Sequence, residues 1–278
     1  VTVSTMARSS SSRDISFDTD FGPARIRWDG PRATLFLGDV ESSAVDTSDP
    51  TYLEFEYMQH MDAVVSSLWG PQDRFRALHV GGAACALACA WSSSHPQSRH
   101  VAVEVDRLLA EQVREHFPIP KAPQVKIRVG DGRAVLDGTR EGSFDVIVRD
   151  AFASGMTPDH LRTVECADQV RRALTASGVY LVNCAHGGVA NARQDVAALQ
   201  DVFPFVASIQ DPKVGRGGRL GNVVALASAA DVVDVDQIDR ALRMLALPAR
   251  ITRPADLTRW VAGTRALTDA QVGYPQAD

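Results

Sequence analysis

Cysteine is scarce in this sequence, and the cysteines present form no pattern. Cys85, Cys89, Cys166 and Cys184 are the only 4 among 278 residues. They make no CxxC pair and no Cys/His spacing of the kind zinc sites use. No metal is therefore expected, and the four read as small buried hydrophobes of a reducing compartment, the cytoplasm. Long apolar runs are missing too: none approaches the roughly 18 residues of a membrane span, so no membrane partner is expected. The first residues lack the basic-then-apolar layout of a secretory leader. Nor is there an excess of basic charge. With 29 Lys+Arg against 34 Asp+Glu, the formal net charge is −5, which argues against a nucleic-acid partner. There are no internal repeats, and the ordinary composition, 45% hydrophobic and 23% charged, is that of a globular chain.

What is present divides into four stretches. Residues 1–13 hold SSSS and little that is apolar, and read as a disordered start. Residues 14–70 read as a small β-hairpin and helix domain. In it ARIRWDGPRATLFLG alternates around Asp29-Gly30, a hairpin signal. YLEFEYMQHMDAVVSSLW then carries apolar residues at helical spacing, with Asp49-Pro50 as its start. Residues 71–230 alternate apolar strands (RALHV, HVAVEV, VKIRV, FDVIV, GVYLVN, FPFVASI, NVVALAS) with helices predicted over 83–94, 107–116, 158–176 and 188–201. That alternation predicts an α/β fold with a doubly wound, largely parallel sheet. Seven strands with the last two close together fit the Rossmann-like variant of the class I S-adenosylmethionine-dependent methyltransferases. Residues 231–278 read as a helical extension.

In such a sheet the ligand lies beyond the carboxyl ends of the strands, so those ends are where chemistry is sought. The first strand runs into Gly81-Gly82, where a backbone without Cβ allows close approach. The second ends in VEVD. Glu104 there stands where an acid can accept from both ribose hydroxyls of an adenosine cofactor, while Asp106 suits either that site or the N-cap of the next helix. The third ends in Gly130-Asp131-Gly132, where Asp131 is placed to receive an adenine amino group. The fourth ends in FDVIVRDAFASG, which sets Asp150 at the reacting end and leaves Asp145 at the strand entry. Thr163 and Glu165 open the helix that follows, and His186 sits past the fifth strand in NCAHGG. KVGRGGRLGN reads as a flexible basic loop. Trp28, Trp69, Trp91 and Trp260 read as packing residues.

Taken in order, GG, VEVD, GDG, FDVIVRD, LRTVE and GVYLVN resemble the spermidine synthase (polyamine aminopropyltransferase) family, over about residues 25–228. The resemblance implies decarboxylated S-adenosylmethionine, or S-adenosylmethionine itself, as co-substrate. It implies a small-molecule amine as acceptor, methylthioadenosine as product, and a homodimer. It places Gly81, Gly82, Glu104, Asp106, Asp131 and Gly132 around the co-substrate, Asp150 as the catalytic acid/base, and Tyr57, Glu165 and His186 against the amine.

The sequence also departs from that family. Where the family has three glycines, an aspartate and a glycine, this chain has Gly81-Gly82-Ala83-Ala84-Cys85. The family's Asp-Ser-Ser-Asp is Asp150-Ala151-Phe152-Ala153, and its Tyr-His-Glu is Phe55-Glu56-Tyr57. A glutamine expected near Ser42 is absent. Two further readings therefore stand beside the first. One is an S-adenosylmethionine-dependent methyltransferase, with Arg149 or His79 adding positive character. The other is a non-catalytic relative.

Overall fold

A computed structural model describes residues 13–153, 155–210, 214, 220–230 and 233–275. The start at 1–12 and most of KVGRGGRLGN fall outside the described residues. Strand pairing begins at once, at β1 (Arg13–Thr19). It continues through β2 (Gly22–Asp29), β3 (Arg32–Leu37) and β4 (Val40–Asp46) as one antiparallel sheet in chain order. The Asp29-Gly30 signal is the β2–β3 hairpin: Asp29 pairs with Arg32, and Gly30 takes φ +59°, the left-handed value such a tight turn needs. Ala24, Ile26, Ala33 and Leu35 turn one face of this sheet into the core.

Helix α1 (Glu56–Leu68) follows. It starts later than Asp49-Pro50 because that dipeptide is used in turns. Asp46 accepts from the N–H groups of Ser48 and Asp49, and Asp49 accepts from the N–H and hydroxyl of Thr51. Its Met58, Met61, Val64 and Val65 are buried.

The second sheet is built around β5 (Arg76–Val80). On one side lie β6 (Arg99–Glu104) and β7 (Val125–Val129), on the other β8 (Phe144–Arg149) and β9 (Leu174–His186). All five are parallel. β11 (Gly221–Ser228) runs antiparallel between β9 and β10 (Phe205–Gln210), completing the seven strands expected. An eighth, β12 (Arg250–Thr252), pairs with β10 from within the stretch read as wholly helical. Three residues are too short to show a strand period, so only the exposed edge of β10 makes them one.

Helices α2 (Ala86–Ser94), α3 (Arg107–His116), α4 (Gly132–Asp137), α5 (Val164–Ala173) and α6 (Ala192–Val202) connect the strands. The short α4 had no readable period. A 3₁₀ turn, Asp159–Leu161, precedes α5, so the predicted 158–176 helix is broken at its start. The C-terminal stretch adds α7 (Val235–Arg243), α8 (Pro254–Val261) and α9 (Asp269–Val272). Among the described residues no helix is long and apolar enough to cross a membrane.

After β7 the chain returns to the other side of β5, so strand order reverses between β5 and β8. Loops leaving adjacent strands in opposite directions open a crevice at that point. Here the crevice is narrow: the Asp150 N–H bonds the Val80 carbonyl at 2.9 Å, and the Gly81 N–H bonds the Val103 carbonyl at 3.0 Å.

Candidate active site at the switch point

Asp150 leaves β8 at the reversal, with both carboxylate oxygens already engaged. The Tyr57 hydroxyl, carried by α1, donates to Oδ2 at 2.9 Å, and the Asn183 amide of β9 donates to Oδ1 at 2.8 Å. Burial pushes the Asp150 carboxyl up, against the opposing pull of those two bonds and of Arg149. It raises the Tyr57 phenol as well, helped by the Asp150 charge, so the hydroxyl stays a donor. Asn183 keeps its own buried carbonyl oxygen without a hydrogen-bond partner. An acceptor beside a raised carboxylate is what an amine N–H would use. Asn183 was inside the quoted GVYLVN yet was not singled out; its place at a strand's carboxyl end was the available signal.

The two glycines of the β5 loop differ in what they serve. Gly81 has φ +79°, and a Cβ there would stand 2.4 Å from the Asp150 carbonyl oxygen, so its role is the approach of two backbones. A Cβ on Gly82 would meet nothing within 4 Å. No packing contact therefore demands glycine at this position, and the space beside it is open. The cleft between Gly81, Gly82 and Asp150 is walled by Met58, His79, Leu87, Ala88, Ala102 and Val148, and its volume is only about 10 Å³. That is about the room for one water.

Beyond Gly82 the loop takes left-handed angles without glycine. Ala83 takes φ +40° and Cys85 φ +58°. These are left-handed values that cost an L-residue about 1–2 kcal/mol each. Ala84 is fully buried. It lines a separate cavity of about 270 Å³ on the outer side of α2, among Val45, Pro50, Phe117 and Ile119. The lost aspartate thus corresponds to a side chain that here faces away from Asp150.

Glu104 ends β6 beneath this loop and accepts the Asp106 N–H at 3.1 Å. Its carboxyl is raised by burial, with the backbone N–H groups of Asp106, Val105 and Ala83 drawing it down. One strand further, Asp131 caps α4 by accepting the Ala134 N–H at 2.9 Å and meets His160 Nε2 at 2.9 Å, with 39% of its side chain still exposed. Glu104 and Asp131 therefore stand at successive strand ends on the β6–β7 side of the Gly82 loop.

Four expected site residues make contacts within the fold. Asp106 is buried, caps α3 through the Leu109 N–H at 2.7 Å, and accepts the Asp20 N–H at 3.1 Å, tying the N-terminal sheet to α3. Gly132 lacks a side chain for packing: a Cβ would lie 2.4 Å from Val80 Cγ1. Glu165 accepts the Asp269 N–H at 2.9 Å, and so belongs to the C-terminal stretch. His186 packs its ring on Trp260 at 5.3 Å, and burial and Arg193 lower its pKa. The positive character expected of Arg149 and His79 is also absent from the cleft. Successive side chains of β8 face opposite ways, and Arg149 is buried against Asp195 at 2.6 Å. His79 bonds His100 at 3.2 Å, and burial drives its pKa to about 3, so it stays neutral.

No family model matches the chain. A polyamine aminopropyltransferase of Vibrio vulnificus (strain CMCP6) is 26% identical over 110 residues, which is 39% of this chain and 37% of that protein. A probable spermidine synthase from Corynebacterium glutamicum ATCC 13032 superposes with TM-score 0.84 at 31% identity, covering 91% of this chain and 95% of that one. A spermidine synthase in complex with the transition state analogue AdoDATO has TM-score 0.59 at 16% identity, over 94% of this chain and 88% of that one, and shares the fold. With a relative above 30% identical across almost its whole length, and with Asp150, Glu104 and Asp131 at the strand ends where the motifs put them, this chain belongs to the spermidine synthase family.

Proposed function

We propose that the chain is an aminopropyltransferase that moves the aminopropyl group of decarboxylated S-adenosylmethionine to an amine, releasing methylthioadenosine. The observation that carries this is Asp150: a desolvated carboxylate at the switch point, its pKa raised, gripped by Tyr57 and Asn183 beside the space left by Gly82. The co-substrate supplies a carbon activated by the sulfonium, so that the amine lone pair forms the new C–N bond while the C–S pair leaves on sulfur. Glu104 accepts from the ribose hydroxyls and Asp131 from the adenine amino group. Asp150 takes the proton that the attacking nitrogen must shed, and its raised pKa suits a group that accepts and then releases it. Tyr57 and Asn183 hold its two oxygens in place, and the free Asn183 carbonyl oxygen accepts an N–H of the incoming amine. Among the described residues that line the cleft, Asp150 is the only carboxylate. A buried ammonium without a partner is costly, so an acceptor with a single nitrogen suits this cleft better than one with a distal cation.

Purified protein incubated with decarboxylated S-adenosylmethionine and a panel of monoamines, diamines and triamines tests this. Methylthioadenosine release that is faster with monoamines than with putrescine is the expected result. S-adenosylhomocysteine formed from S-adenosylmethionine would make it a methyltransferase. No nucleoside product, and no thermal shift with either compound, would make it a non-catalytic relative.

A further inference from the structure

The C-terminal stretch reaches back to the adenosine end of the cleft. Arg133 of α4 is buried and donates two hydrogen bonds to Asp269, at 3.1 and 2.6 Å, while the Thr163 hydroxyl donates to the same carboxylate at 2.6 Å. The Val164 N–H bonds the Leu267 carbonyl at 2.9 Å, and Thr268 and Gln271 close a reciprocal cap on α9. So anchored, the chain delivers Tyr274 to two neighbours. Its ring lies over the Arg133 guanidinium at 4.8 Å, and it stacks on the His160 ring at 5.6 Å with 6° between the planes. His160, pinned by that stack, places Nε2 against Asp131 Oδ2. A chain of contacts thus runs from Asp269 through Tyr274 and His160 to the carboxylate at the end of β7.

We propose that His160 and Tyr274 are positioning residues that make the nucleoside end selective for an adenine-type 6-amino purine; this rests on the adenosine reading of Asp131. A carboxylate is acceptor-only, with about four lone-pair directions over its two oxygens. The Ala134 N–H takes one on Oδ1 and His160 takes one on Oδ2. With the carboxylate fixed at both oxygens, the remaining lone pairs point outward from a side chain that is still 39% exposed. Those directions accept an amino N–H and leave the carbonyl of a 6-oxo purine facing lone pairs. Without His160, only the capping bond holds the carboxylate, which is then free to turn. Without the Tyr274 ring, His160 loses the surface that sets its plane.

The test is the ratio of dissociation constants for methylthioadenosine and its 6-oxo counterpart methylthioinosine, by calorimetry on the full chain with thermal melts as a folding control. The wild-type protein is expected to prefer the adenosine compound by about ten- to a hundredfold, the worth of one hydrogen bond to a charged group. His160→Ala and Tyr274→Ala bring that ratio to within about threefold while still binding both compounds. Tyr274→Phe, which keeps the ring, retains the wild-type ratio. Asp131→Asn separates the two levels of the argument. If it collapses the ratio while His160→Ala and Tyr274→Ala leave it intact, the positioning role is wrong and the adenosine reading stands. If Asp131→Asn also changes nothing, or the wild type shows no preference, the adenosine reading fails and this inference with it.

Discussion

The loops leaving β5 and β8 touch, yet they prepare for a ligand in different ways. At the exit of β8 the family's side chain is retained: Asp150 is there, with Tyr57 and Asn183 bonded to it. At the exit of β5 the side chains depart from the family's pattern, and the backbone itself is unusual. Ala83 and Cys85 hold left-handed angles without being glycine, and Ala84 is packed inside. A catalytic carboxylate acts through its own atoms, so its identity and its hydrogen bonds matter together. A phosphate- or nucleoside-facing loop acts through its backbone, and a backbone can be forced into the same path by its surroundings at the cost of strain. The comparison teaches that a loop can hold left-handed angles without glycine where its surroundings pack it.

Four experiments sharpen or break that contrast. The largest effect is expected at Asp150. Asp150→Asn keeps the shape and removes the proton acceptor, so turnover should fall by about 10²–10⁴-fold with methylthioadenosine affinity nearly unchanged. Equal loss of both in steady-state kinetics and calorimetry would make Asp150 a binding or folding residue. Next come the two glycines. Gly81→Ala meets both a positive φ and backbone atoms closer than 3 Å, and should cost about 2–4 kcal/mol in denaturant unfolding. Gly82→Ala should leave stability close to wild type while weakening nucleoside binding; if stability falls as much as for Gly81→Ala, the space above Gly82 serves the fold.

Acid should act on the fold through two buried histidines, His79 of β5 and His60 of α1. Burial holds His79 at about 3 and His60 at about 4. Both folded values lie below the ordinary histidine range near 6.5, so the unfolded chain binds the extra protons. Stability from these groups is present above about pH 6.5 and drains as pH falls toward 4, at up to about 1.4 kcal/mol per unit for each ring. His60→Leu should flatten that slope in melts run from pH 7 to 5; an unchanged slope would remove His60 from the account. The smallest effect is expected at Ala83. Ala83→Gly should relieve the left-handed strain and raise stability by about 1 kcal/mol, and a drop instead would show that the loop relaxes to another path.

Reading this chain from its residues went furthest where a local pattern repeats. Apolar strands alternating with helices, and acids at strand ends, marked the sheet and put Glu104, Asp131 and Asp150 at the carboxyl ends of its strands. Strand β12 and helix α4 escaped because three and six residues show no period. Asp106, Glu165 and His186 looked like ligand residues because an acid or imidazole at an element end reads the same whether it caps, pairs or binds. The structure distinguishes them by the partner each one meets, in Leu109, Asp269 and Trp260. His160 and Tyr274 drew no notice because they lie 114 positions apart (274 − 160), joined only by the packing of the C-terminal stretch.

By itself the amino-acid sequence determined the order of strands and helices, the position of Asp150 after β8, and the family. The first two follow from hydrophobic period and local spacing, and the family from the resemblance of the motifs in order. The tertiary structure alone decided that Ala84 faces the core, that Asn183 completes the grip on Asp150, and that Arg149 is spent on Asp195. The physical reason is that a side chain's role depends on which neighbour removes it from water or bonds its polar atoms, and in GGAAC, where this chain leaves its family's pattern, that neighbour comes from distant strands.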